Sequence, residues 1–313
     1  MADSILWFDS QGSGDLSFLS SADVAEKKSN VPQVITTEET VKILETYRKR
    51  PNALVCQYNR PFSIGRLKME LLPSGSVLGG ASLYVETERG RLLYAPQLQI
   101  QRIATVRQMQ LKRANTLILG AFHPDPNSAM PQRKKERERL IEVVKGHIAQ
   151  GQYPVILCKA VAIAQEVTKL LTDEGLAVAV HSTIFRINKV YESCGSQLGN
   201  YTHYSKRSQS KNRVLLLPLT SRPGALTGVP DGPLLVVEDT ISEPLAPFAA
   251  KRPIEKFFLS SSCDGVELRE IIAAVNPKEL FFFGPYAKRY VDELKGVAPK
   301  IKPLFPNDQP TLF

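Results

Sequence analysis

The chain has 313 residues, of which 43% are hydrophobic and 23% are charged, a composition typical of globular proteins and long enough for two domains. It contains no run of about 18 apolar residues and no basic segment at its start, so the sequence predicts neither a membrane span nor a signal peptide. Four cysteines without CxxC spacing argue against a zinc ribbon and favour a reduced, cytoplasmic protein. The net charge of +9 favours a polyanionic partner such as nucleic acid.

Residues 1 to 124 predict a sheet with few helices. Apolar residues alternate as in strands in "RLKMELLPSG", "ASLYVETERGRLLYAP" and "NTLILGAF", and "ERGR" is typical of a hairpin turn. A helix is predicted in "TTEETVKILETYRKR", where Thr36 or Thr37 can cap the first turn and Glu39 completes a capping-box pattern with Thr36. The glycine-rich stretch "PSGSVLGG" lacks the lysine of a phosphate-binding P-loop.

Residues 125 to 245 alternate helices and strands. "PQRKKERERLIEVVKGHIAQG" predicts a helix with a solvated charged face and an apolar stripe, ended by Gly151. Strands are predicted in "YPVILC", "LAVAVHSTI", "VLLLPLTS" and "GPLLVVEDT", and helices in "AVAIAQEVTKLLTDEG" and "FRINKVYESCG". This βαβα order predicts an α/β fold with a doubly wound parallel sheet.

Residues 246 to 300 return to a strand–helix–strand–helix unit, seen in "IEKFFLSSSCDG", "VELREIIAAVN", "PKELFFFG" and "PYAKRYVDELKG". Residues 301 to 313 are rich in proline and lack a hydrophobic period, which predicts a flexible tail.

Four stretches, in this order, carry a family resemblance: "LLPSGSVLGGASLYVETERGRLLYAPQ", "AIAQEVTKLL", "HSTIFRINKVYESCG" and "FFLSSSCDGVELREIIAAVNPKELFFFG". Together they resemble the metallo-β-lactamase fold with a β-CASP insertion, the architecture of several DNA- and RNA-processing nucleases, and most closely the short ligase-associated exonucleases. The resemblance implies a metallo-β-lactamase αββα sandwich made of residues 1–124 and 246–300. It also implies that residues 125–245 form an inserted β-CASP-like parallel α/β domain.

The family's chemistry uses two metal ions, usually zinc, held by histidines and aspartates. The resemblance implies that the matching positions here are Leu19, Ser21, Asp23, Val24, Ser76, Gln97, Ser262 and Asp264, with Phe283 or Gly284 replacing a final histidine. Zinc needs a basic nitrogen, a thiolate or a carboxylate, which Leu, Val, Ser and Gln do not supply. The two aspartates are expected to serve as turn formers or helix caps. The resemblance therefore implies a pseudo-enzyme with no catalytic residue, no metal and no cofactor.

A hydrolase with a non-standard site stays open as an alternative. It would draw on Asp23, Asp264, His123 and His181. His123 and Asp125 are two residues apart in "GAFHPDP", a spacing that a loop with a capping aspartate also explains. The chain has four histidines, and none has HxH spacing with another.

Two basic clusters are candidate nucleic-acid contacts. One lies in "YTHYSKRSQSKNR", which has no acid and contains two tyrosines, and the other lies at the end of the first predicted helix. Their cations are Lys206, Arg207, Lys211, Arg213, Arg48, Lys49 and Arg50. Cations beside aromatic rings suit a phosphate backbone and stacked bases, and a solubilising loop is the alternative.

The last five residues, "QPTLF", resemble the Gln-x-x-Leu-Phe peptide that binds bacterial sliding clamps. Leu312 and Phe313 would fill an apolar pocket, and Gln309 would hydrogen-bond at a second subsite. The alternative is a tail that packs Phe313 against its own domain.

The sequence as a whole predicts a catalytically inactive nuclease homologue that binds nucleic acid, DNA rather than RNA. It would act as a scaffold or accessory subunit in DNA repair or replication, with the sliding clamp and a nuclease, ligase or helicase as protein partners. Three alternatives remain: an RNA-processing partner of an active β-CASP subunit, a metal-dependent nuclease or hydrolase using a non-standard site, and a purely structural subunit.

Overall fold

The computed structural model describes residues 6–9, 16–25, 33–205, 212–219, 229, 231–239 and 254–304. These residues form an α/β fold with three sheets. They divide into two compact units: unit 1 lies within Met1–Ala129 and Ser262–Phe313, and unit 2 lies within Met130–Ser261. In the described ranges, no helix is long and apolar enough to cross a membrane.

The strands, in chain order, are β1 (Leu6–Phe8), β2 (Leu16–Phe18), β3 (Val34–Thr36), β4 (Ala53–Val55), β5 (Phe62–Ile64), β6 (Leu67–Pro73), β7 (Ala81–Thr87), β8 (Gly90–Ala95), β9 (Thr116–Gly120), β10 (Val155–Cys158), β11 (Val178–Val180), β12 (Tyr201–His203), β13 (Val214–Pro218), β14 (Leu234–Glu238), β15 (Ile254–Phe258), β16 (Glu279–Phe283) and β17 (Lys300–Pro303). The helices are α1 (Ala22–Ala25), α2 (Glu38–Glu45), α3 (Arg133–Ala149), α4 (Ile163–Asp173), α5 (Ser182–Ser193), α6 (Gly265–Val275) and α7 (Ala287–Glu293).

Unit 1 contains two sheets. The smaller is a parallel sheet in the order β1-β2-β3-β4, and the larger is a mixed sheet in the order β17-β16-β9-β8-β7-β6-β5. Phe18 and Ile35 of the smaller sheet are fully buried in one apolar cluster with Leu71 and Leu83 of the larger sheet. A second cluster joins the larger sheet to α6 and α7, where the rings of Phe282 and Tyr290 lie 5.3 Å apart. Side chains on the two faces of the larger sheet therefore pack into two separate apolar cores, one shared with the smaller sheet and one shared with α6 and α7.

Unit 2 is built on an all-parallel sheet in the order β12-β11-β13-β10-β14-β15. Its central strands are apolar almost throughout, as in "VILC" and "LLVVE", because both faces of the sheet are covered. The helices α3, α4 and α5 contribute buried side chains to one of the two apolar clusters. The parallel sheet agrees with the βαβα order of the sequence.

The structure departs from the sequence-based boundaries in three places. Residues 125–129, assigned by sequence to the insertion, belong to unit 1. The strand β15, assigned by sequence to the closing part that begins at residue 246, pairs with β14 and belongs to unit 2. Residues 301–303, assigned to a flexible tail, lie in β17 and pair with β16, and the Leu304 amide donates to the Phe282 carbonyl over 2.7 Å. Both pairings join strands across long separations, which a hydrophobic pattern does not report.

The charged face predicted for α3 is only partly solvated. Arg133 is 4% exposed, and its Nε donates to Glu166 Oε1 of α4 over 2.9 Å. Arg137 Nε donates to the same oxygen over 2.7 Å. Glu136 is also buried and accepts a hydrogen bond from the Phe258 amide of β15. The alternating charges therefore hold α3 against its neighbours in unit 2, because each buried charge has a partner of opposite sign.

Glu166 is the centre of this network. Burial raises the pKa of its carboxyl, but the guanidinium groups of Arg133 and Arg137 oppose that effect and hold the pKa below its ordinary value. Its stabilising contribution is therefore complete above the pKa of the unfolded carboxyl, about 4.3, and is lost as the pH falls through the lower folded pKa.

We expect Glu166→Gln to lower the free energy of unfolding by about 3 kcal/mol, because it leaves buried guanidinium groups without their carboxylate. The matched control is Glu174→Gln, which removes an exposed ion pair with Lys145 and should cost less than about 1 kcal/mol. Urea denaturation followed by circular dichroism measures both. Equal losses for the two variants would contradict this role of Glu166.

Candidate functional site

The turn between β6 and β7, residues 74–80, is packed against backbone on two sides. Gly75 and Gly79 have φ angles of +76° and +78°. A Cβ atom on Gly75 would lie 2.3 Å from the Gln99 carbonyl oxygen, and one on Gly79 would lie 2.5 Å from the Thr40 amide nitrogen. Glycine is therefore required at both positions for conformation and for space.

Ser76 is buried inside this turn. Its Oγ lies 2.7 Å from Ser74 Oγ, and both serines are about 1% exposed. A Cβ atom on Gly80 would lie 2.6 Å from Ser74 Oγ and 3.0 Å from Ser76 Oγ. The missing side chain of Gly80 thus makes room for a hydrogen-bonded pair of serines.

Two glutamines connect the turn to the segment before α6. The Gln99 amide donates to the Ser74 carbonyl over 3.0 Å, and Gln99 Nε2 donates to the Ser262 carbonyl over 3.1 Å. Gln97 Nε2 donates to Ser262 Oγ over 3.3 Å. We name Ser74, Ser76, Gln97, Gln99 and Ser262 the serine–glutamine cluster. It gathers three of the predicted positions, Ser76, Gln97 and Ser262, from distant parts of the sequence.

Asp264 follows this cluster and caps α6. Its Oδ1 accepts a hydrogen bond from the Glu267 amide over 2.8 Å, and Glu267 Oε2 accepts one from the Asp264 amide over 3.0 Å. This reciprocal capping box agrees with the cap expected from the sequence. The Asp264 carboxylate therefore has a structural task at the helix end.

The segment from Leu19 to Asp23 borders the same turn. Leu19 is buried, with its amide donating to the Ile35 carbonyl over 2.9 Å, and Ser21 is also buried. The Ser20 carbonyl accepts from the Ala81 amide over 2.8 Å, which ties the segment to the start of β7. Asp23 lies in the first turn of α1, and the side chain of Val24 lies outside the described residues.

Asp9 is a buried acid in this region that sequence reasoning missed. Its Oδ1 accepts from the Ser20 amide over 2.8 Å, and its Oδ2 accepts from the Tyr94 hydroxyl over 2.9 Å. Burial first, and then the Asp9 carboxylate, raise the pKa of Tyr94 well above its ordinary value. No pattern in "LWFDS" distinguishes this aspartate from a surface residue, because its two donors come from distant positions.

The donor atoms gathered in the serine–glutamine cluster do not fit two zinc ions. They are hydroxyl, amide and backbone carbonyl groups, which bind zinc weakly compared with imidazole, thiolate or carboxylate. Within the described ranges, no group of three or more His, Cys, Asp or Glu side chains is arranged to hold a metal ion. The cluster is equipped for neutral hydrogen bonding.

The residues of the alternative hydrolase site have separate surroundings. In unit 1, His123 is buried, while Asp125 accepts from the Asn127 amide and lies 3.5 Å from Arg289. In unit 2, His181 caps α5, with its Nδ1 accepting from the Thr183 amide over 3.2 Å. Burial, followed by the positive charges of His203 and Arg186, lowers the pKa of His181.

The structure describes only some residues of the two predicted basic clusters. Arg48 is half-buried and Lys49 is exposed, while Arg50 pairs with Glu45 at 3.0 Å and with Glu38 at 3.4 Å. This pairing compensates one of the three predicted cations.

Arg213 is the described member of the second cluster, and its Nη1 donates to Thr202 Oγ1 of β12 over 2.9 Å. Beside Tyr201 of the same stretch, the structure adds Phe185 and Lys189, which the sequence did not single out. Lys189 Nζ lies 5.3 Å from the ring centre of Phe185 and 5.2 Å from that of Tyr201. Six other predicted contact residues lie outside the described part of the chain. They are Lys206, Arg207 and Lys211 of the basic stretch, and Gln309, Leu312 and Phe313 of the predicted clamp-binding peptide.

Comparisons with known proteins give similarities in sequence and in structure. No protein-family model matches the chain. An RNase J-like protein from Methanocaldococcus jannaschii is 25% identical over 109 residues, which are 34% of this chain and 26% of that protein, so the chain matches about a quarter of the relative's length. A protein of unknown function from Enterococcus faecalis V583 shares the fold, with a TM-score of 0.65 at 13% identity over 93% of this chain and 79% of that chain. The sequence similarity supports kinship with the metallo-β-lactamase/β-CASP superfamily at most.

We expect Gly75→Ala to destabilise unit 1 by about 3 kcal/mol, since it combines an unfavourable φ with an overlap between Cβ and the Gln99 carbonyl. The matched control is Gly296→Ala in the same unit. Gly296 has a φ of +92°, and no heavy atom within 4 Å of the added Cβ, so only the backbone strain of about 1 kcal/mol remains. Chemical denaturation compares the two, and equal losses would contradict the packing role of the turn.

Proposed function

We propose that this protein is a catalytically inactive relative of the metallo-β-lactamase/β-CASP nucleases that works as a nucleic-acid-binding scaffold or accessory subunit in DNA repair or replication. The observation that carries the proposal is the serine–glutamine cluster. Ser76, Gln97 and Ser262 meet where the family resemblance calls for metal ligands, and each is linked by hydrogen bonds to another member.

The proposed architecture is an αββα sandwich interrupted by a β-CASP-like domain. Two features support it. Unit 1 has two sheets that share one core, and it is split in sequence by unit 2, which has an all-parallel sheet. The similarity to the RNase J-like protein adds support at the level of the superfamily.

Inactivity is proposed on the chemistry of the donor atoms. A two-metal nuclease needs ligands that hold two cations and generate a hydroxide. Here neutral serine and glutamine side chains would have to act as the metal ligands. The carboxylate of Asp264 is already engaged in capping α6. The cluster instead joins the turn after β6 to the segment before α6 through hydrogen bonds. These bonds would hold the geometry of the turn in place of metal ions.

We expect the purified chain, equilibrated with Zn²⁺ or Mn²⁺ and then desalted, to retain less than one metal ion per chain and to leave single-stranded DNA and RNA uncut. Metal analysis and gel-based cleavage assays measure this. Stoichiometric metal, together with cleavage abolished in Asp23→Ala or in Asp264→Asn, would overturn the proposal. Asparagine also caps helices well, so loss of activity in the Asp264→Asn variant would report lost charge and not a lost helix cap.

Nucleic-acid binding is proposed on the charge of +9 and on the basic stretch of sequence from Lys206 to Arg213. We expect the joint replacement of Lys206, Arg207, Lys211 and Arg213 by Gln to weaken binding to a single-stranded oligonucleotide. The slope of log K against log salt should fall by up to about 3, at about 0.7 per lost phosphate contact. Fluorescence anisotropy at several salt concentrations measures this slope, and an unchanged slope would remove these four residues from the interface.

A second candidate function is an RNA-processing partner of an active β-CASP subunit. The match to a protein described as RNase J-like favours it. Competition between DNA and RNA oligonucleotides of one sequence separates the two candidates, since preference for RNA would favour the second.

The proposed protein partner is a sliding clamp, reached through Gln309, Leu312 and Phe313. A chain ending at Asp308 should lose clamp binding in a pull-down with purified clamp, while its nucleic-acid affinity stays unchanged. Equal capture of the shortened and intact chains would end this part of the proposal.

A further inference from the structure

We propose that one face of unit 1 is a sequence-independent binding surface for nucleic-acid backbone, formed by Arg60, Arg66 and Arg107 beside β6. We name it the β6 basic face. It deepens the proposed function and rests on it, because it assigns the nucleic-acid partner to a surface that neither basic cluster in the sequence identified.

The first observation is a local absence of acids in the sequence. Residues 46–69 contain no Asp or Glu, and neither do residues 89–124. The cations of the first segment are Arg48, Lys49, Arg50, Arg60, Arg66 and Lys68. Those of the second are Arg89, Arg91, Arg102, Arg107, Lys112 and Arg113. Twelve of the 40 Lys and Arg residues thus fall in two segments that themselves contain no acid.

The second observation is that the fold brings these two segments together. The guanidinium carbon of Arg107 lies 5.3 Å from the ring centre of Tyr58. The Asn59 amide donates to the Leu71 carbonyl over 2.9 Å, and the Gln110 amide donates to the Pro73 carbonyl over 3.0 Å. Both segments are therefore anchored to the same strand, β6.

Arg66 extends the proposed surface to the other end of β6, at the hairpin turn with β5. Residues 65 and 66 form the turn, where Gly65 has a φ of +58°, and Arg66 is exposed. Arg60 is exposed in the short link between Tyr58 and β5.

The third observation concerns which cations have partners. Lys68 pairs with Glu86 at 3.1 Å, and Lys112 pairs with Glu70 at 2.6 Å. Across the part of the chain that the structure describes, Arg60, Arg66 and Arg107 form no salt bridge within 4.0 Å. Glu39 lines the same small cavity as Tyr58 and Arg107, and it forms no salt bridge with Arg107 within 4.0 Å.

Exposed cations without an acidic partner leave a positive potential at the surface along β6. A polyanion is attracted to this potential and gains entropy by releasing its own counterions. The planar guanidinium group also matches the oxygen atoms of a phosphate better than an ammonium group does.

The surroundings of Tyr58 indicate contact with phosphates and not with bases. The hydroxyl of Tyr58 donates to the Gly80 carbonyl over 2.9 Å, and one face of its ring faces Arg107. The ring of Tyr58 therefore orients the guanidinium group of Arg107, and on that face it is not available to stack on a base. Phosphate contacts of this kind position a strand without reading its sequence.

The test compares three full-length proteins, using mixed-sequence single-stranded 20-nucleotide DNA and RNA as probes. The first variant carries Arg60→Gln, Arg66→Gln and Arg107→Gln. The matched control removes the same charge from exposed, paired lysines through Lys134→Gln, Lys145→Gln and Lys295→Gln. Circular dichroism and urea denaturation confirm that each variant is folded.

We expect the arginine variant to bind at least about tenfold more weakly at 100 mM salt, and its slope of log K against log salt to fall by about 2, at about 0.7 for each of three contacts. The control should change the affinity less than about twofold. A charge-preserving variant with Lys at all three positions should restore the slope. Where the triple Gln variant fails to fold, the three single Gln variants serve instead, each with an expected fall in slope of about 0.7.

Three results would overturn the proposal. If the intact chain binds nucleic acid and the arginine variant binds equally well, the β6 basic face is wrong while the proposed function stands. If the intact chain binds neither DNA nor RNA, both fail. If the arginine variant loses binding to vesicles containing phosphatidylserine and keeps its affinity for nucleic acid, the face belongs to a lipid surface.

Discussion

The organisation of unit 1 depends on the close approach of three backbone segments at the turn after β6. The Gln99 carbonyl occupies the space that a Cβ on Gly75 would need, and the Thr40 amide does the same at Gly79. Thr37 and Thr40 hydroxyl groups donate to the Gly79 carbonyl over 2.8 and 3.0 Å, so α2 is fixed to the same turn. Because the backbones are this close, the small polar side chains between them can form direct hydrogen bonds.

The serine–glutamine cluster is a consequence of that approach. Ser74 and Ser76 lie within hydrogen-bond distance only because Gly80 has no side chain, and Gln99 reaches both Ser74 and Ser262 from one position. Buried polar groups are costly unless they are paired, so this network has to be assembled as a unit. Serine and glutamine hydrogen-bond to one another here, and their neutral oxygen and amide groups differ from the imidazole and carboxylate ligands of a two-metal nuclease.

Charge is used differently in the two units. In unit 2, Glu166 receives two guanidinium groups and is almost fully buried, so these charges stabilise the packing of α3 against α4. In unit 1, Arg60, Arg66 and Arg107 are exposed and lie in segments free of acids. The first arrangement is complete within the chain, whereas the second leaves a positive potential available to a polyanion.

The sequence by itself determined the local features of this protein. Strand alternation in "ASLYVETERGRLLYAP", the apolar run "VILC" and the cap formed by Asp264 all follow from periods and residue types over a few positions. The tertiary structure alone decided the pairing of β15 with β14, the burial of Asp9 and Arg133, and the meeting of Arg107 with Tyr58. These features depend on which distant segments become neighbours, and that outcome is set by the packing of whole sheets and helices and not by any local pattern.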